Sequence, residues 1–128
     1  VWYSHHMNKP LTFLFSLTFL FLFSTSVYGD EPIKTYWKNG NLMNETHYKD
    51  GKLEGLQTHW HKFGKKYSET HYKNGKKDGV FKEWYESGKK KSMKQYKVGI
   101  ENGIRKEWTE DGIIIFEGNY VDGVEEIK

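Results

Sequence analysis

The chain is governed by a repeat of 24 residues that runs from position 33 to Lys128 with no insertion or deletion. Tyr36, Trp60, Trp84 and Trp108 stand 24 apart, and Gly40, Gly64, Gly88 and Gly112 follow them at a fixed offset of four. Tyr48, Tyr72, Tyr96 and Tyr120 form a further column, as do Gly51, Gly75, Gly99 and Gly123. Gly55, Gly79 and Gly103 form a shorter column whose fourth place is taken by Ile127, and Leu56, Val80 and Ile104 follow directly after it. Of the 13 glycines, 11 lie on these columns. Self-similarity at such a period marks a repeat architecture, in which one supersecondary unit stacks on copies of itself. The units by period are 33–56, 57–80, 81–104 and 105–128.

Each unit carries two glycine-marked turns. The short one reads His61-Lys62-Phe63-Gly64, Tyr85-Glu86-Ser87-Gly88 or Thr109-Glu110-Asp111-Gly112. The other is built on Asp50-Gly51, Asn74-Gly75 or Asp122-Gly123, pairs that supply positive φ at small cost and signal tight hairpins. Between the turns lie segments of strand length rich in Trp, Tyr, Thr and Val. Strict alternation puts Leu56, Thr58 and Trp60 on one face, and likewise Val80, Lys82 and Trp84, and Ile104, Lys106 and Trp108. Helices do not fit between glycines so closely spaced. The expected fold is all-β: about eight antiparallel strands in a hairpin meander, forming one elongated twisted sheet.

Equivalent residues of successive units then lie about 9.6 Å apart, so the column of Tyr36, Trp60, Trp84 and Trp108 makes a stripe about 30 Å long. Such a column either covers the sheet and locks its twist or offers a stacking platform to a partner. The residues singled out for partner binding are Trp60, Trp84, Trp108, Tyr72 and Tyr96. The glycine columns are read as turn geometry, since none has nucleotide-loop spacing before a helix.

Upstream of the repeats, Lys9 precedes thirteen residues, Leu11 to Phe23, of which ten are Leu or Phe. Ser24 to Gly29 then offer small residues, with Val27 and Gly29 placed for cleavage before Asp30. This is the three-part pattern of a secretory signal peptide over residues 7–29. An uncleaved anchor is the alternative, but a span needs about 20 apolar residues. Residues 1–6 are read as lying upstream of the initiator Met7, and residues 30–34 as a linker before the repeat domain at 35–128. The expected location is secreted or periplasmic. The absence of cysteine excludes disulfides, thiolate metal sites and thiol catalysis.

Charge is unevenly spread. Residues 62–97 hold 12 Lys against 4 acids, whereas 98–128 hold 3 basic residues against 8 acids. Lys65, Lys66, Lys89, Lys90 and Lys91 sit at or beside turns, where lysine protects exposed β edges or meets an anionic partner such as a lipid headgroup. A single arginine, Arg105, argues against phosphate reading, and no nucleic acid is expected. His47, His59, His61 and His71 invite a metal reading. The hairpin geometry places His59 about 7 Å and His61 about 13 Å from the level of the other two, too far apart for one ion. No catalytic constellation stands out, and neither an enzyme nor a cofactor is expected.

Units such as Tyr48-Lys49-Asp50-Gly51-Lys52-Leu53-Glu54-Gly55 and Tyr72-Lys73-Asn74-Gly75-Lys76-Lys77-Asp78-Gly79 resemble MORN repeats, most closely those of the bacterial MORN-repeat-variant family. The likeness covers residues 35 to about 126 and departs from the pattern at Val98-Gly99-Ile100 and Ile113-Ile114-Ile115. The resemblance implies a scaffold that binds proteins or phospholipids. Through relatives labelled as YwqK-type antitoxin components, it also implies an antitoxin or immunity-like role with a toxin as partner. The expected function is an exported, non-enzymatic protein-binding scaffold or immunity-like partner, the alternative being a peripheral binder of anionic phospholipid headgroups.

Overall fold

A computed structural model describes residues 31–127. The expected signal peptide at 7–29 lies outside the described residues, as does the stretch before it. The described chain is all-β. Its strands are β1 (Ile33–Tyr36), β2 (Leu42–Thr46), β3 (Tyr48–Lys49), β4 (Lys52–Leu53), β5 (Gly55–Trp60), β6 (Lys66–Lys73), β7 (Lys76–Trp84), β8 (Lys90–Lys97), β9 (Ile100–Glu101), β10 (Gly103–Trp108), β11 (Ile114–Val121) and β12 (Val124–Glu125). The eight longer strands are the expected meander, in the order β1-β2-β5-β6-β7-β8-β10-β11. The four additional strands are two-residue arms of the turns at Asp50-Gly51, Val98-Gly99 and Asp122-Gly123: β12 continues the main sheet, β9 pairs with β8, and β3 with β4 forms a separate ribbon.

Two turn types alternate, each with a chemical cause. At the short turns the amide of Gly64 donates to the His61 carbonyl and the amide of His61 to the Lys65 carbonyl, and the other three units repeat this. Gly64 takes φ +91, a left-handed position that closes a three-residue loop without a Cβ penalty. At the other turns both central residues have positive φ, as in Asn74 (φ 50) and Gly75 (φ 79), which is the two-residue turn matched to strand twist.

The two kinds of junction differ in extent. Across a short turn the ladder is long: β5 and β6 are matched from Gly55↔Tyr72 to Trp60↔Lys66. Between hairpins it is short at two of the three junctions: β2 meets β5 only at Asn44↔His59 and Glu45↔Thr58, and β8 meets β10 only at Met93↔Lys106 and Ser92↔Glu107, whereas β6 and β7 are matched from Ser68↔Glu83 to Lys73↔Lys76. Each tight hairpin also carries a register shift at its aromatic column, beside Tyr36, Trp60, Trp84 and Trp108. A bulge there bends the strand and raises its local twist.

Turn amides and side chains supplement these junctions. The amides of Gly75, Gly99 and Gly123 donate to the carbonyls of Leu53, Lys77 and Glu101, so each of these three turns docks on the unit before it. Glu54 and Asp78 accept from the amides of Asn74 and Val98 at 2.7 and 3.1 Å in the same joints. On the opposite margin, Trp37 Nε1 donates to the Trp60 carbonyl at 3.1 Å and the Tyr85 hydroxyl to the Trp108 carbonyl at 2.8 Å.

No hydrophobic side chain is buried among the described residues. The buried ones are small and polar: Thr46, Thr58, Ser68, Thr70 and Ser92. They stand at the centre of the sheet and are covered by longer neighbours. Cohesion therefore rests on ladder hydrogen bonds and on cross-strand pairs, each contributing about 0.2–1 kcal/mol.

Candidate functional site

A one-layer sheet presents two faces. Alternation and register place Trp60, Trp84 and Trp108 on one, with Leu56, Thr58, Val80, Lys82, Ile104 and Lys106. All three indoles are half-buried. Trp84 and Trp108 border a shallow cleft completed by Lys82, Lys90, Ser92 and Met93. Across this face runs one cross-strand row, Lys34–Glu45–Thr58–Glu69–Lys82–Met93–Lys106–Glu117. Lys34 pairs with Glu45 at 3.3 Å and Lys106 with Glu117 at 2.8 Å.

Tyr72 and Tyr96 lie on the other face. Gly55↔Tyr72 and Gly79↔Tyr96 put them in line with Gln57, His59 and Phe81, opposite to the tryptophans. The five aromatics singled out from the sequence are therefore not one surface. Tyr96 meets Phe81 edge-on at 6.5 Å between centroids, and the Lys77 ammonium lies 5.1 Å from the Phe81 ring and 5.0 Å from the Tyr96 ring. The next unit repeats the device with another cation: Arg105 lies 5.1 Å from Phe116 and 5.7 Å from Tyr120. These cation–π clusters hold the second face together. Burial pushes the Tyr72 and Tyr96 phenols up, with Glu101 adding to the shift at Tyr96. Both tyrosines are thus neutral packing groups.

The lysines divide. Lys65 Nζ donates to the Ser87 carbonyl at 2.8 Å, a contact between turns of adjacent units. Lys66 is paired with Glu69, and Lys91 with Glu83 at 2.8 Å. The hydrogen bond to Glu83 raises the Lys91 pKa, so its charge is held by the sheet. Lys65, Lys66, Lys89 and Lys90 are all exposed. Three of the five thus also make contacts within the sheet without leaving its surface.

The histidines serve the backbone. His47 Nδ1 lies 2.7 Å from the Leu56 carbonyl and His71 Nδ1 3.0 Å from that of Val80, distances at which the ring N–H donates. Through Nδ1, these bonds tie one short-turn hairpin to the strand that opens the next. His61 packs edge-on against Tyr67 at 5.1 Å. Among the described residues, no three His, Cys, Asp or Glu side chains are gathered as for a metal ion.

Trp37 is the functional side chain that the column reading misses. It follows Tyr36, in a column shared with His61, Tyr85 and Thr109. Four unlike residues hide a column from inspection by identity. What Trp37 and Tyr85 share is a donor on a long planar arm, and that was the available signal.

The arrangement offers binding surface along its length. A family model described as MORN repeat variant matches residues 32–50, 53–74, 77–97 and 101–122. The last three matches begin 24 apart, at the arm that leaves each Asx-Gly turn. No curated protein and no solved structure matches the chain. With four matches spread over most of its length, the chain belongs to the MORN repeat variant family.

Proposed function

We propose that this chain is an exported, non-enzymatic scaffold that binds a protein partner on the tryptophan face of its sheet. MORN repeats are protein- or membrane-binding modules, and that much follows from the family. The choice of a protein partner is carried by one observation. Trp60, Trp84 and Trp108 recur at the unit spacing, half-buried, on a face with no second layer over it among the described residues, and Lys82 and Lys90 border Trp84 and Trp108. Indoles fixed at the base and open at the rim supply contact area at low entropic cost, and aromatic anchors dominate protein interfaces. Export rests on the leader read at residues 7–29, and an immunity-like role is the narrower form of the same proposal.

The test is a pull-down from an envelope fraction with the wild-type chain and Trp84→Ala, with circular dichroism as the control for folding. A protein recovered by the wild type and lost by a folded variant supports the reading. Equal recovery by both overturns the assignment to the tryptophan face. Co-sedimentation with anionic vesicles that survives Trp84→Ala and fades with salt would favour the lipid reading instead.

A further inference from the structure

We infer that copies of this chain add head to tail, the β11 edge of one pairing with the β1 edge of the next. The inference goes beyond the binding of a foreign partner and uses a different part of the molecule. Among the described residues, the outer side of β11 is engaged at Tyr120 and Val121 by β12 and at Asn119, whose carbonyl accepts from the Glu126 amide. The rest of that edge carries Ile114, Ile115 and Phe116, beginning just after the exposed Ile113; Ile115 is 62% exposed. β1 is the opposite end of the sheet, with β2 as its neighbour on the inner side. The stretch from Ile113 to Phe116 carries neither charge nor proline, and an exposed apolar edge of that kind is one folded proteins normally cover.

The occupant is specified by the repeat. Inside the sheet, β2 is followed by β5, β6 by β7 and β8 by β10. β11 stands in the columns of β2, β6 and β8, and β1 in those of β5, β7 and β10. The β11 edge is thus built to receive a strand of the kind that β1 is. The internal registers Ser92↔Glu107 and Met93↔Lys106 carry over by the period. They set Phe116 opposite Thr35 of the next copy, and Glu117 opposite its Lys34. The registers Asn44↔His59 and Glu45↔Thr58 give the same result.

Charge agrees with this register. The cross-strand row that traverses the tryptophan face ends in Lys34 at one edge and Glu117 at the other. Two equivalent edges brought together would oppose like charges, whereas head-to-tail contact opposes unlike ones. The turn margin is complementary as well. Gly75, Gly99 and Gly123 each donate to the unit before, which leaves Gly51 as the first donor of that column. The carbonyl of Glu125 is the next acceptor after Leu53, Lys77 and Glu101. Addition covers Ile115 and Tyr36, the latter 58% exposed. A head-to-tail contact of this kind is heterologous and continues as an open, twisted filament unless its rotation closes a ring.

The native chain has no cysteine, so engineered pairs report the register directly. Residues 35 and 116 lie at opposite ends of one sheet, far beyond the Cα separation of about 4.4–6.8 Å that a disulfide spans within a chain. Oxidising an equimolar mixture of Thr35→Cys and Phe116→Cys is expected to give mainly the mixed dimer. The double variant is expected to give a ladder of multimers. Lys34→Cys with Glu117→Cys repeats the test should Phe116→Cys fold poorly. In sedimentation velocity the wild-type weight-average mass is expected to rise with concentration, and that of Ile115→Lys to stay monomeric. Predominant 116–116 or 35–35 dimers would overturn the head-to-tail arrangement, as would a wild type that remains monomeric at every concentration.

Discussion

The hydroxyl of Tyr85 donates to the carbonyl of Trp108, 2.8 Å away and 23 residues further along the chain. Trp37 makes the equivalent bond to Trp60 with its indole nitrogen, at 3.1 Å. Both tie a short turn to the next hairpin, where the backbone ladder is brief. Tyr85→Phe keeps the ring and removes the donor. Its expected cost is about 0.5–1.5 kcal/mol, read as a lower urea midpoint at unchanged slope. An unchanged midpoint would mean that water replaces the hydroxyl without loss.

Val98 occupies φ 51, where the equivalent residues of the other units are Asp50, Asn74 and Asp122. A β-branched side chain in the left-handed region is strained by about 1–2 kcal/mol, and 56% of this one is exposed, so little burial compensates. Val98→Asn keeps the amide that donates to Asp78 and removes most of the strain. The expected gain of about 1 kcal/mol raises Tm by about 4–8 °C for a domain of this size. Calorimetry of the two proteins checks it.

Gly79 takes φ +116, and a Cβ there would stand 3.2 Å from the His71 Cβ, whereas at Gly40, with φ +87, a Cβ meets nothing within 4 Å. Gly79→Ala therefore incurs both backbone strain and a clash at the joint that the His71 ring bridges. Gly40→Ala incurs strain alone. The expected losses are about 1–3 kcal/mol, with Gly79→Ala the larger. Paired denaturation curves test the order.

Burial holds the pKa of His59 below its ordinary value. Between that lowered value and the ordinary one, the unfolded chain binds a proton that the folded chain does not. Stability therefore rises with pH across this window and is flat above it. His59→Gln removes this component. Wild type and variant should diverge as pH falls below the ordinary histidine range, the wild type losing more. Parallel thermal melts at acid and neutral pH measure the difference.

The strands and turns were legible in the sequence because the period is perfect and glycine has one dominant use in each column. The four short arms were not; two of them, β4 and β9, end where Gly55 and Gly103 turn the backbone at positive φ between arm and strand. At Gly79 the same residue leaves β7 continuous, so identity alone does not predict the break. The site was half legible. The tryptophans do share a face, as alternation requires. Tyr72 and Tyr96 follow the alternation of their own strands to the other side, a matter of register that spacing does not reveal. The duties of Lys65 and His71 depend on which carbonyl of the neighbouring unit comes within reach, and no sequence column states that.

A sheet whose buried residues are threonine and serine hides less oil from water than an ordinary domain. Its unfolding should take up less heat capacity than the usual about 12–15 cal/mol/K per residue. The curve of stability against temperature is then shallow. Such a protein has little strength to lose on cooling and gives it up gradually on warming.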